Sequence, residues 1–151
     1  MILPVKDLNI GMSFGIISGI LTTIGIILGN VGAATSKKII ILNLIALALS
    51  DSFSDALGIY YGSYADDEDF KKSIKEGINA FIGKSIIPLT MALIFYLLSM
   101  SNAILLNLLL AIGGIILITI KLFGINRVLA MNMTAFVGIV TLNYFVGQYL
   151  G

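Results

Sequence analysis

Two aspartates lie in the middle of an apolar run, and their spacing suits them to hold a cation or a proton. Asp51 and Asp55 occur in the stretch LALSDSFSDALG, residues 47–58. Four residues apart on a helix, they project from the same face and repel each other when both are ionised. A bound cation, or a proton shared between the carboxylates, relieves that repulsion. The pair therefore predicts an oxygen-lined ion or proton site.

The same carboxylates have an alternative role in helix packing. Lys84 stands near the start of the next apolar run, and an ion pair between Lys84 and one aspartate would join two helices without any transported ion. Carboxylates inside membrane spans are rare and mark ion pathways by default. Both interpretations stay open on the sequence.

Composition limits the class of protein. The chain has 151 residues, 58% hydrophobic and 11% charged, and a soluble domain of this length could not bury so much apolar surface. It has neither cysteine nor histidine, which excludes disulfides, thiolate or imidazole metal sites and the usual Cys or His catalytic arrangements. The net charge of +1 gives no basic field for nucleic acid. We expect a protein of the lipid bilayer that is not an enzyme and has no cofactor.

Five runs of about 20 apolar residues predict five transmembrane helices in one all-α domain, residues 1–151. The predicted spans are 10–34, 39–64, 78–100, 103–120 and 128–150. A short polar segment, about residues 65–77, separates the second span from the third. The chain is thus predicted to be a polytopic membrane protein.

The polar segment begins with an acidic patch, which comprises Asp66, Asp67, Glu68 and Asp69. Lysines follow it, and Glu68 and Lys72 have the spacing of a favourable ion pair on one helix. The patch is therefore either part of a solvated helical turn or a weak cation-collecting surface at a pore mouth.

Basic residues are unequally divided between the two sides of the predicted bundle. One side, with the N-terminus and the polar segment, carries Lys6, Lys71, Lys72, Lys75, Lys121 and Arg127. The other side carries Lys37 and Lys38. Because loops rich in lysine and arginine stay in the cytoplasm, we expect the N-terminus to be cytoplasmic.

The first span combines small residues with hydroxyls. Gly11, Gly15 and Gly19 recur every four residues, which predicts close packing against a neighbouring or symmetry-related helix. Ser18 and Thr22 add hydroxyl groups to this helix. Alone these are weak signals for a site, since such hydroxyls readily bond their own helix backbone.

The third span contains two further candidates. Pro88 interrupts the helical hydrogen bonds, and the freed backbone groups must find partners in the protein or in a water-filled cavity. Met91 offers a sulfur to a soft cation, with packing in the core as the alternative.

Four stretches, in order, resemble the helices of the vacuolar iron transporter family. The first helix of that family is similar to SGILTTIGIILGNVGAA, and the second is similar to SDSFSDALGIYYGS. The proline-bearing third helix resembles KSIIPLTMALI, and the closing helix resembles NRVLAMNMTAFVGIVTLNYFVGQYLG. Together these stretches cover nearly the whole chain.

This resemblance implies a homodimer in the cell membrane, or in an organelle membrane of a eukaryote. It would move ferrous iron, manganese or a similar divalent cation out of the cytoplasm in exchange for protons, along the dimer interface. The cation is then a transported substrate. On this chain we expect the metal site at Asp51 and Asp55, with Ser18, Thr22 and Met91 as further candidate ligands.

The chain departs from the family pattern at three of its acidic or sulfur positions. Ser18 stands where the family has an aspartate, Asp55 where it has a methionine, and Ile59 where it has a glutamate. Two alternatives therefore remain. One is a transporter of the same fold for another cation or for protons; the other is a non-transporting membrane protein with a structural network of Asp51, Asp55 and Lys84.

Overall fold

The computed structural model describes residues 10–151, which form five long helices joined by short connections. The helices are α1 (Ile10–Gly32), α2 (Lys37–Asp67), α3 (Phe70–Leu97), α4 (Met100–Phe123) and α5 (Arg127–Leu150). Each is long and apolar enough to cross a membrane, and no β-strand occurs in this range. The predicted all-α class and five helices of membrane-spanning length are confirmed for these residues. Lys6, which counts towards the orientation, lies outside the described residues.

The third helix begins at Phe70, so its predicted start at residue 78 is wrong. Polar residues of the segment extend the helix because the Asp69 side chain caps it, accepting a hydrogen bond from the Lys72 amide at 3.1 Å. Lys84 therefore lies halfway along this 28-residue helix rather than near its start.

The predicted Glu68–Lys72 pair does not form. α2 ends at Asp67, and Glu68 adopts a left-handed conformation with φ of 53°, so it is not on one helix with Lys72. Lys72 pairs with Asp67 instead. The polar segment is thus divided between two helix ends.

α1 runs through the centre of the bundle and uses its glycines to approach two other helices. A Cβ atom at Gly15 would overlap the carbonyl oxygen of Ala80, and one at Gly19 would lie 3.0 Å from the carbonyl oxygen of Lys84. The Gly11, Gly15 and Gly19 stripe therefore faces α3 of the same chain. Further along, Gly25 and Gly29 lie against Asn143 of α5. Close backbone approach of this kind strengthens helix packing in lipid, where the hydrophobic effect between helices is weak.

The apolar core lies in the half of the bundle beyond Lys84, towards the end of α1. All five helices contribute to it; its largest buried members include Ile24, Ile27, Ile40, Leu44, Met91, Phe95, Ile115 and Phe136. This packing fixes α1, α2 and α3 against one another, and these three helices carry the charged groups described next.

Candidate ion site

A buried lysine lies between the two aspartates of α2. Lys84 Nζ is 2.6 Å from Asp51 Oδ2 and forms a second ion pair with Asp55 Oδ2. The Lys84 side chain is only 2% exposed, whereas those of Asp51 and Asp55 are 35% and 23% exposed. The amine is therefore enclosed, whereas each aspartate side chain is partly exposed.

α1 adds a hydroxyl to this arrangement. Ser18 Oγ donates a hydrogen bond of 3.0 Å to Asp55 Oδ2, and Lys84 Nζ donates to the same oxygen. The contact of Lys84 with Asp51 lies outside hydrogen-bond geometry, so the attraction there is between charges. Ser18, Asp51, Asp55 and Lys84 are called the acid–lysine cluster below.

The charge of the acid–lysine cluster decides what it can bind. With both carboxylates ionised and the amine protonated, two negative charges and one positive charge leave a net charge of −1. One proton or one monovalent cation makes the cluster neutral. A divalent cation makes it neutral only if Lys84 also loses its proton. Because an uncompensated charge away from water is costly, uptake of positive charge is favourable here.

Both α2 and α3 depart from regular helix beside the acid–lysine cluster. A π-helical turn, Leu47–Asp51, interrupts α2 near its middle. Such turns are often found at functional sites. In α3, Pro88 lacks the N–H that would bind the carbonyl oxygen of Lys84, and this oxygen faces Gly19 of α1. The sequence showed the proline, but nothing in it indicated the π-helical turn.

A cavity of about 360 Å³ reaches the acid–lysine cluster at Asp51. We call it the α1–α5 cavity; its lining residues are Leu21, Thr22, Gly25, Ile26, Leu47, Asp51, Ile139 and Asn143. A second pocket, of about 260 Å³, lies at the polar end and is lined by residues including Ile10, Gly62, Asp66 and Glu76. Along α1 and α2 the order is polar-end pocket, acid–lysine cluster, α1–α5 cavity. The cluster thus lies between a pocket at the polar end and a cavity near the middle of the helices.

The remaining residues of the predicted metal site are divided. Thr22 Oγ1 donates to the carbonyl of Ser18 at 2.9 Å and lines the α1–α5 cavity together with Asp51. Met91 is 4% exposed within the apolar core. It is nearly two turns from Lys84, about 10 Å along the axis of α3, so the structure leaves its sulfur in the core rather than in the acid–lysine cluster.

The acidic patch is mostly engaged in local structure. Asp67 pairs with Lys72, Asp69 caps α3, and Asp66 lines the polar-end pocket. Sequence reasoning missed Glu76, whose carboxylate accepts a 2.7 Å hydrogen bond from the Gly11 amide in the first turn of α1. Between residues 10 and 151, no group of three or more acidic, His or Cys side chains could hold a metal ion.

Comparisons with models of protein families, with curated proteins and with solved structures give no match to this chain. The resemblance to the vacuolar iron transporter family therefore stays a prediction based on the quoted stretches, and the homodimer stays one with it. The function proposed below is therefore based on the acid–lysine cluster.

Proposed function

We propose that this chain is an integral membrane transporter that exchanges a cation for protons at the acid–lysine cluster. The observation that supports this most is the burial of the Lys84 amine between two carboxylates, halfway along a helix that is apolar enough to cross a membrane. Ionisable groups at such depth are expensive to keep, and they mark ion or proton pathways by default.

Lys84 acts in this proposal as a tethered cation that fills the site when no ion is bound. An incoming ion is bound by the carboxylates of Asp51 and Asp55 and by the hydroxyl of Ser18, and it competes with the ammonium group for the same oxygens. A proton on either carboxylate competes in the same way. Because ion and proton neutralise the same charge, their bound states exclude each other, which couples the two fluxes.

The cargo implied by the resemblance is a divalent cation of the iron or manganese type. Starting from the neutral cluster with one protonated carboxylate, a divalent ion displaces that proton and the proton of Lys84, two in all. A monovalent ion displaces only the carboxylate proton, and Lys84 stays charged. The number of protons moved per ion therefore separates a divalent cargo from a monovalent one.

The positive-inside pattern favours a cytoplasmic N-terminus. The polar-end pocket then lies at the cytoplasmic end, and the α1–α5 cavity lies deeper, near the middle of the helices. The cell membrane, or an organelle membrane in a eukaryote, is the proposed location, and a homodimer is the proposed assembly.

A second candidate function is a non-transporting membrane protein in which the acid–lysine cluster only joins helices. The specific observation in its favour is that Lys84 already contacts both carboxylates, so two of the three charges compensate each other without an added ion.

Flux measurements in liposomes separate the two candidates. Purified protein is reconstituted with a metal indicator and a pH indicator inside, and Mn²⁺ is added outside. We expect Mn²⁺ entry with proton exit for the parent, and loss of both for Asp51→Asn and Asp55→Asn. Asp69→Asn is the matched control, since asparagine caps a helix as well as aspartate does, and it should keep both fluxes. Parental flux in Asp51→Asn and Asp55→Asn would refute the proposal.

A further inference from the structure

The α1–α5 cavity has the size and surface of a small-molecule site. Its volume of about 360 Å³ falls in the range of ligand pockets, about 300 to 1,000 Å³, and far exceeds the space of one bare ion. Leu21, Ile26, Leu47 and Ile139 form apolar walls, and the polar side chains in the lining are Thr22, Asp51 and Asn143.

The polar side chains other than Asp51 donate hydrogen bonds within their own helices. Thr22 Oγ1 donates to the Ser18 carbonyl, and Asn143 Nδ2 donates to the Ile139 carbonyl at 2.9 Å. The lining thus offers oxygens from three side chains, Thr22, Asp51 and Asn143, fewer than the six or more ligands that a hard inorganic cation takes. The carboxylate of Asp51 shares Lys84 with Asp55, and it brings the net negative charge of the acid–lysine cluster to the cavity.

An apolar cavity with one negative charge favours a cation that carries its own apolar surface. An alkylammonium ion spreads its charge over a larger volume and loses less hydration on entry than a metal ion does. Its single positive charge also matches the net charge of −1 on the acid–lysine cluster.

We propose that the α1–α5 cavity binds a monovalent organic cation of the alkylammonium class. Its nitrogen lies against Asp51 and its apolar substituents lie against Leu47 and Ile139. This inference rests on the proposed function, because it takes Asp51 as the carboxylate that exchanges cation for proton, and it gives that site an organic substrate class. Binding of one such ion displaces one proton from the cluster.

Calorimetric titration of the full chain in detergent with tetraethylammonium tests the inference. We expect saturable binding that an equal concentration of K⁺ does not displace. Asp51→Asn should weaken it about tenfold or more, equivalent to about 1.4 kcal/mol. Ile139→Trp fills the cavity without changing charge and should weaken it similarly. Val137→Trp is the matched control, because Val137 is exposed on the same helix and does not line the cavity, so it should bind like the parent.

The outcomes separate this inference from the proposed function. If the folded parent does not bind tetraethylammonium, or if K⁺ displaces it equally well, the organic-cation site is refuted even where Mn²⁺ and proton fluxes persist. Parental binding by Asp51→Asn and Ile139→Trp refutes it as well. If tetraethylammonium binding depends on Asp51 but the protein transports no ion, the organic-cation site is supported and the transport function is refuted.

Discussion

Replacing Lys84 with methionine removes the positive charge from the acid–lysine cluster and nearly keeps the length of the side chain. Two carboxylates then lie on one helix face without a cation. Removing one partner of a buried ion pair costs about 3–5 kcal/mol. Because Asp51 and Asp55 are 35% and 23% exposed, they can be partly solvated. We therefore expect the free energy of unfolding to fall by about 3 kcal/mol, the lower end of this range.

A compensated variant separates charge from packing. Lys84→Met combined with Asp51→Asn and Asp55→Asn removes all three charges, and a buried ion network replaced as a whole by neutral groups is often as stable as before. We expect this triple variant to recover most of the stability that Lys84→Met loses. Lys75→Met, at an exposed lysine of the same helix, should behave like the parent.

Reversible unfolding of the variants in mixed micelles, followed by helical circular dichroism during titration with a denaturing detergent, measures these differences. A midpoint for Lys84→Met equal to that of the parent would show that Lys84 does not stabilise the two acids. A triple variant as unstable as Lys84→Met would assign the loss to packing around the lysine chain, and the electrostatic reasoning would fail.

Three further changes test the packing by the same unfolding assay. Gly15→Ala should lose about 1–3 kcal/mol, since its Cβ meets a backbone carbonyl of α3, whereas Gly58→Ala meets nothing within 4 Å and should gain up to about 1 kcal/mol; equal effects would contradict the close approach. Lys37 Nζ donates 2.9 Å to the carbonyl that follows α3, so Lys37→Met should lose about 1 kcal/mol, and a similar loss in Lys38→Met would argue against this cap. Asn107 is fully buried, with its side-chain oxygen unpartnered and its Nδ2 donating to the Met91 carbonyl at 3.3 Å; because Asn107→Leu removes both features, the unfolding free energy should change by no more than about 1 kcal/mol, and a larger loss would show that the amide has a role in packing.

The sequence allowed the number of helices and the shared face of the two acids to be predicted. Apolar runs of membrane length are recognised without tertiary information, and all five occur as long helices. The spacing of Asp51 and Asp55 places both on one face of α2, and both meet Lys84. The opposite charges of Lys84 and the aspartates also allowed an ion pair between them to be predicted from the sequence.

The depth of Lys84 could not be predicted from hydropathy. Hydropathy places the start of a span at the end of the charged residues. A helix can begin earlier wherever its first turn is capped, and the Asp69 side chain caps α3 before the apolar run begins. The hydrogen bond between Glu76 and Gly11 joins residues of different helices, and no local pattern predicts it. The π-helical turn that ends at Asp51 likewise depends on packing against the rest of the bundle.

The division of the acid–lysine cluster between α2 and α3 has a consequence for biogenesis. α2 emerges from the ribosome before Lys84 does, and each unpaired aspartate at mid-membrane opposes insertion by about 2.5–3.5 kcal/mol. Only Glu68 and Asp69 separate the two helices, so α3 can deliver the ammonium group immediately afterwards. We expect α2 and α3 to enter the bilayer together as a hairpin, and chains truncated before Lys84 to leave α2 outside in a glycosylation-mapping assay. The positive charge that compensates the two aspartates of α2 thus belongs to the helix that follows it in the chain.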